Sequence, residues 1–305
     1  MRFAVPLNAA GEAEILFKAG ADEFYCGVME SGWRKKFGDH DGISRRQGAA
    51  NIGSRGELKI IIEETAALGA PLFLTLNGSY TDEQLPFVAE LAEFFEHNGG
   101  AGLMLMDVSL LVSLLRRGSR LKRGISLLAA VSSPSALGFY GELGADRVVL
   151  PRFLNFNQMK DILSGYPGVE AEAIVWIDKC RFIDGYCRFI HSVGYAGRET
   201  GEAACREIYS HDTTYTRPAC SDFFGGQPRG PACAACALKP LAAAGVKIYK
   251  LGGRGRPLET RLNGVKFLKA AGELSNDGER REFYRRFFGS PCDAEVCYYG
   301  TLDKP

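Results

Sequence analysis

The stretch Glu142-Leu143-Gly144-Ala145-Asp146-Arg147-Val148-Val149-Leu150 decides the fold. An amphipathic segment, Ser135–Leu143, runs into a glycine, and an aliphatic run, Arg147–Leu150, begins three residues later. Glycine supplies the left-handed residue just past a helix at no steric cost, so the stretch reads as helix, stop, strand. The same punctuation recurs in Lys18-Ala19-Gly20-Ala21-Asp22, Ala67-Leu68-Gly69-Ala70-Pro71 and Ala243-Ala244-Gly245-Val246. Such repetition is the mark of serial βα units.

Outward from this stretch, eight runs rich in aliphatic or β-branched residues predict strands. They are Phe3–Leu7, Glu23–Gly27, Leu72–Leu76, Gly102–Met106, Gly124–Ala130, Arg147–Leu150, Ala171–Ile177 and Val246–Leu251. Helical patterns fall between them, at Gly11–Ala19, Arg55–Leu68, Asp82–Glu96, Ser109–Arg117, Ser135–Leu143, Phe156–Leu163 and Lys239–Ala244. In Asp82–Glu96 the apolar residues Leu85, Val88, Leu91, Ala92 and Phe95 repeat at helical spacing, and Thr81 or Asp82 is placed to cap that helix. Eight strands with crossovers predict an α/β fold, a (β/α)8 TIM-like barrel over residues 1–275. The tail, 276–305, holds a charged helix, Asp277–Phe288, with Phe283, Phe287 and Phe288 on one side. An open doubly wound sheet is the alternative, but no Gly-x-Gly-x-x-Gly follows the first strand.

The 305 residues suffice for a large core, and charges balance to +1, so no basic excess announces nucleic acid. Apolar runs are strand-length and interrupted by charge, which predicts no membrane insertion. The opening Met1-Arg2-Phe3-Ala4-Val5-Pro6 reads as a strand rather than a signal peptide, and the expected location is the reducing cytoplasm.

Eight of the nine cysteines follow Cys26. Cys180, Cys187, Cys205, Cys220, Cys233 and Cys236 lie in or beside residues 178–238, an irregular insertion between the seventh and eighth strands. A barrel places that insertion over its C-terminal rim, where active sites are built. Their neighbours are polar and rich in Gly and Pro, which suits ligands better than buried hydrophobes. Only Cys233-x2-Cys236 is a tight knuckle; the other spacings are long and uneven. An iron–sulfur cluster, a structural zinc and reduced structural thiols all fit this spacing. Cys292 and Cys297 read as a separate redox pair or as residues packed under the tail. The four histidines have no metal-protease spacing, and no Gly-x-Ser-x-Gly elbow occurs.

Strand ends carry the polar residues of a barrel mouth: Asn8, Asn77, Asp107, Ser132, Ser133, Arg152, Asp178 and Lys250. Arg45, Arg46 and Asn51 lie in a long basic segment after the second strand, Ser31–Asn51. Arg254 and Arg256 follow the eighth strand beside glycines, a composition suited to phosphate or carboxylate.

Several short elements then occur in a telling order: Ala50-Asn51-Ile52, Thr75-Leu76-Asn77, Asp107, Arg147-Val148-Val149-Leu150-Pro151-Arg152-Phe153-Leu154, Cys180-x6-Cys187 and Ala244-Gly245-Val246-Lys247-Ile248-Tyr249-Lys250-Leu251-Gly252-Gly253-Arg254. Together, over residues 3–260, they resemble the collagenase-like peptidases of family U32. The chain departs from that pattern in places. The family's His-Gly before the first cysteine is Ile177-Asp178 here, its Arg-Glu is Arg152-Phe153, and its Ser-Thr-Gln reduces to Ser132-Ser133.

The resemblance implies a barrel with a four-cysteine [4Fe–4S] cluster. It implies oxygen-independent hydroxylation of ubiquinone precursors or of RNA bases. The expected ligands are Cys180, Cys187, Cys205 and one of Cys233 and Cys236, with zinc as the alternative metal. Asn77, Asp107, Arg152 and Lys250 are the expected catalytic residues, and Asn8, Arg45, Asn51, Ser133 and Arg254 the substrate-binding ones. The expected substrate is a small molecule or RNA, and some relatives pair with a second family member. The alternatives are a metal-dependent peptidase and a non-catalytic metal-binding accessory subunit.

Overall fold

A computed structural model describes residues 1–38, 43–46, 50–177, 179–180, 183–187, 230–293 and 296–300. Eight strands form one closed, all-parallel barrel in chain order: β1 (Arg2–Pro6), β2 (Glu23–Cys26), β3 (Leu72–Leu76), β4 (Gly102–Leu105), β5 (Lys122–Ile125), β6 (Arg147–Val149), β7 (Glu170–Trp176) and β8 (Val246–Leu251). β8 returns to β1 with Arg2 opposite Ile248, so the sheet has no edge.

The helices, in order, are α1 (Ala13–Ala19), α2 (Ser31–Phe37), α3 (Arg55–Ala67), α4 (Leu85–His97), α5 (Val108–Arg116), α6 (Pro134–Glu142), α7 (Phe156–Ser164), α8 (Leu238–Ala243), α9 (Leu258–Glu273) and α10 (Asp277–Phe288).

The stretch after α6 does what its sequence predicts. Gly144 has φ +72°, and the amides of Gly144 and Ala145 return to Gly141 O and Tyr140 O at 2.9 Å each. Asp146 then donates its amide to Arg123 O of β5 (2.9 Å) and accepts from Arg123 N through Oδ2 (2.8 Å). Gly20-Ala21-Asp22 repeats the device against β1: Asp22 N donates to Phe3 O (2.9 Å), and Phe3 N donates to Asp22 Oδ2 (2.7 Å). Each Gly-Ala-Asp stops a helix and clamps the next strand to its neighbour.

Two expectations are corrected, and two helices stand where none was expected. β5 is Lys122–Ile125, not Gly124–Ala130. Ser126 Oγ accepts from Leu128 N, a 3-10 turn follows over Leu127–Ala129, and Ala130 turns left-handed at φ +51°. α4 is not capped by a Thr81 or Asp82 side chain. Its cap residue is Gln84, and the Thr81 carbonyl receives Gln84 N and Leu85 N at 3.0 Å each. The basic segment after β2 opens with α2, whose Trp33 is buried. The span after the Gly-Arg run forms the sixteen-residue α9.

In the tail, α10 lays Phe283, Tyr284, Phe287 and Phe288 around Phe267 of α9, with ring centroids 5.0–5.7 Å apart. Phe288 also meets Trp176 at the end of β7.

Candidate functional site

Two polar layers occupy the barrel. The deeper one is a buried charge network. Arg147 Nη1 and Nη2 reach both oxygens of Glu23 (2.5 and 3.0 Å), and Arg147 Nη1 reaches Glu172 (3.1 Å). Lys250 Nζ reaches the other oxygen of Glu172 at 2.6 Å. Arg147 lies over the Phe73 ring and Lys250 over Tyr25, at 4.2 and 4.0 Å from the centroids. Two cations face two carboxylates, and each of the four residues is under 9% exposed.

Glu23 and Glu172 shift in opposite directions. Burial raises the Glu23 carboxyl and outweighs the pull of Arg147. Burial also pushes Glu172 up, but Lys250 and Arg147 together bring it below its usual value. Lys250, expected at the mouth, thus points to Glu172 in this layer.

The upper layer, at the C-terminal strand ends, divides in two. On the β6–β7 side, Arg152 donates Nε to Asp184 (3.0 Å), reaches its second oxygen through Nη2, and donates Nη1 to the Tyr298 hydroxyl (3.3 Å). Tyr298 donates in turn to Ile177 O at 2.6 Å. Burial works against the Arg152 charge, yet Tyr298, Asp184 and the Cys180 thiol hold it well above its usual pKa. Asp184 lies within the Cys180-x6-Cys187 motif, which was the signal that marks it.

Cys180 is half-buried and Cys187 buried, while Cys205 and Cys220 lie outside the described residues, as do Asp178, His40, His191 and His211. Ile177 N donates to Ala232 O (2.7 Å), and Cys233 bridges Trp176, which ties the second cysteine pair to the β7 end. Cys233 also bridges Cys297, accepting from Tyr298 N and donating to Val296 O. Its thiol is hydrogen-bonded to Cys292. That bond raises the Cys233 pKa and lowers that of Cys292. Burial, then Asp277 and the neighbouring thiols, pushes Cys236 up to about 11. The tail cysteines therefore join the second pair, a meeting that long-range packing alone creates. Among the described residues, no three His, Cys, Asp or Glu side chains converge to hold a metal ion. The donors nevertheless suit a thiophilic centre in kind, and the half-buried Arg152 cation lies beside Cys180.

On the β2–β3–β8 side, Arg254 is only 6% exposed. Its Nε donates to Ala50 O (3.0 Å), Nη1 to Thr75 Oγ1 (2.6 Å), and Nη2 to Ser44 Oγ and Asn51 Oδ1 (2.8 Å each). Every one of these acceptors is neutral. Burial lowers the Arg254 pKa to about 10. A Cβ on Gly27 would lie 2.4 Å from Arg254 Nη2 and 2.5 Å from Asn51 Oδ1, so glycine is needed there. Asn77 links this group to β5: Oδ1 accepts from Arg45 N (3.1 Å), and Nδ2 donates to Ser126 Oγ (3.3 Å). Ser44, Thr75 and Ser126 belong to the constellation although none was an expected site residue; Thr75 stands in the Thr75-Leu76-Asn77 element, while Ser44 and Ser126 had no motif of their own. Their signal is only proximity to Arg45, Asn77 and β5.

The remaining predicted residues hold the frame. Asn8 clasps the β8 loop through Arg256 O (2.9 Å) and Gly255 N (3.1 Å). Asp107 caps α5 through Leu110 N (3.0 Å) and accepts from Tyr80 N (3.1 Å). Ser133 is an exposed cap of α6, accepting from Ala136 N (3.1 Å).

The model of peptidase family U32 matches residues 9–292. A curated relative, tRNA hydroxylation protein P of Haemophilus influenzae (strain ATCC 51907 / DSM 11121 / KW20 / Rd), is 22% identical over 183 residues. That alignment covers 60% of this chain and 37% of the relative, so the chain spans well under half of that protein's length. A solved U32 peptidase structure superposes with a TM-score of 0.50 at 14% identity, over 84% of this chain and 94% of the other, and shows the shared fold.

Proposed function

The chain belongs to peptidase family U32, and from that premise we propose that it is an iron–sulfur enzyme of the hydroxylating or RNA-modifying kind. The observation that carries this reading is the Cys180–Cys187 motif at the C-terminal end of β7. It lies beside Arg152, a half-buried cation whose charge interacts with the Cys180 sulfur. Cys180, Cys187 and Cys205, with Cys233 or Cys236, would hold a [4Fe–4S] cluster. Bound there, the cluster supplies one-electron transfer at a potential tuned by its surroundings.

The chain's own residues set those surroundings. Arg152, fixed by Asp184 and Tyr298, places a permanent positive charge beside the thiolates. Asn77 and Ser126 present amide and hydroxyl groups at the mouth, where they orient a substrate. The similarity to a tRNA hydroxylation protein supports a nucleic-acid substrate, with a small molecule as the other choice and a second family member as a candidate partner.

The Cys233–Cys292 contact favours a second location for the metal. Two short pairs, Cys233/Cys236 and Cys292/Cys297, provide thiols of the kind that structural zinc uses, and a zinc there would have to draw the four together, since they do not converge as they stand.

One experiment separates the two: iron, zinc and acid-labile sulfide are measured on anaerobically purified wild type, Cys180→Ala, Cys187→Ala and Cys292→Ala. The iron–sulfur reading expects iron and sulfide in the wild type, at least tenfold less in the first two variants, and little change in the third. Stoichiometric zinc without sulfide, lost in Cys292→Ala, supports the tail site instead. Peptide cleavage abolished by chelation, in protein free of iron, supports the peptidase reading.

A further inference from the structure

The β2–β3–β8 side of the upper layer contains a second guanidinium, on a half-buried side chain, whose Nε–Nη2 edge is shielded from solvent and empty. Arg45 Nε and Nη2 are shielded from solvent and have no hydrogen-bond partner among the described residues. These two groups form the side-on fork of a guanidinium, the edge that takes two oxygens of one carboxylate or phosphate. The Arg45 amide is fastened to Asn77 at the end of β3 (3.1 Å). Its chain neighbour Ser44 accepts from Arg254 Nη2, and Arg254 Nη1 donates to Thr75, two residues before Asn77 on the same side of β3. The two arginines are therefore anchored to one patch of the barrel mouth. Among the described residues, no carboxylate is hydrogen-bonded to either guanidinium.

A buried ion without a counter-ion carries a desolvation cost that nothing in the free protein offsets. Proteins ordinarily neutralise it, as this one does in the layer below. An open fork beside a second uncompensated cation is the arrangement that a bound oxyanion completes. The depressed pKa of Arg254 agrees, since an anion bound nearby restores it.

We infer that Arg45, backed by Arg254, receives an oxyanion of the substrate, a carboxylate or phosphate that presents two oxygens to the Nε–Nη2 fork. The inference concerns a site apart from the cysteines and stands whether or not the chain holds a cluster.

The test is isothermal titration of the purified full chain with inorganic phosphate and with malonate, at constant ionic strength set by chloride, with metal content recorded. At least one probe is expected to bind the wild type. Arg45→Met is expected to weaken it at least tenfold. Arg45→Lys, which keeps the charge but not the fork, is expected to weaken it at least fivefold. Arg254→Met, with the fork intact, is expected to weaken it several-fold. Circular dichroism melts confirm that each variant is folded. Binding of phosphate alone identifies a phosphoester, of malonate alone a carboxylate, and of both the shared oxyanion chemistry. Absence of binding by either probe, or unchanged binding in folded Arg45→Met, overturns the inference.

Discussion

The barrel treats buried charge in two opposite ways a few residues apart. In the lower layer, Glu23, Arg147, Glu172 and Lys250 are all buried, and every charge meets an opposite one at 3.1 Å or less. In the upper layer, Arg152 still meets a carboxylate, Asp184, but Arg254, as buried as the lower four, meets a carbonyl, two hydroxyls and an amide oxygen and, among the described residues, no carboxylate. Burial is the same, so the difference lies in what completes the charge. A balanced network is finished by folding alone. An unbalanced one sits at the end of the barrel where substrates arrive, and a ligand can finish it. Structure and function thus occupy successive layers of the same strands: Glu23 and Gly27 on β2 and its end, Lys250 and Arg254 on β8 and its loop.

The largest effect expected from this contrast is in the lower layer. Arg147→Met removes one cation and leaves Glu23 and Glu172 buried with only Lys250 to answer them. Breaking a buried pair from one side costs about 3–5 kcal/mol, to be read from urea unfolding at pH 7. A loss under about 1 kcal/mol would show the network to be no better than surface ion pairs, and the contrast between the layers would fail.

The acid dependence is smaller and sharpens the same network. Glu172 has a lowered pKa in the folded chain, so its contribution is complete above the unfolded value near 4.5 and is lost as pH falls through the folded one. Glu23 has a raised pKa, so its ionisation opposes folding as pH rises from 4.5 through the folded value. Urea midpoints measured between pH 3 and 7 on Glu172→Gln should therefore show a flatter acid limb than wild type. Glu23→Gln should show a steeper one. The slopes decide, because each substitution also shifts the overall level. Parallel curves for all three proteins would mean that the two carboxyls share one environment.

Local devices were legible in the sequence, and long-range pairings were not. Gly144-Ala145-Asp146 announces its turn because a left-handed residue and a strand clamp are both written into three consecutive side chains. β5 was misplaced because Leu127-Leu128-Ala129-Ala130 prolongs the apolar run and hides the turn at Ser126. α9 does carry a helical period in Leu258, Leu262, Val265, Leu268 and Ala271, with Pro257 just before it, so its signal was present beside the more conspicuous glycines and arginines. The site divides in the same way. Arg45, Asn51, Asn77 and Arg254 could be gathered because each follows a strand end. The meetings of Arg152 with Asp184, of Cys233 with Cys292, and of Lys250 with Glu172 depend on which side chains the closed barrel turns toward one another. Spacing along the chain does not encode that.

The smallest expected effect is the most discriminating. Arg254→Met deletes a cation that is as buried as Arg147, with four hydrogen bonds. By contact counting alone it should be as costly. The acceptors, however, are neutral, and three of the four keep other partners: Thr75 Oγ1 still donates to Cys26 O (2.9 Å), Ser44 Oγ still lies 3.1 Å from Asn51, and Asn51 Nδ2 still donates to Arg46 O (2.8 Å). The substitution also removes an uncompensated desolvation penalty, and exchanging buried charge for apolar volume is often neutral or stabilising. Unfolding free energy should therefore change by no more than about 1 kcal/mol in either direction, while anion binding falls. If Arg254→Met instead costs as much as Arg147→Met, the upper cation is already balanced in the free protein, and the two layers are one structural network rather than a frame and a site.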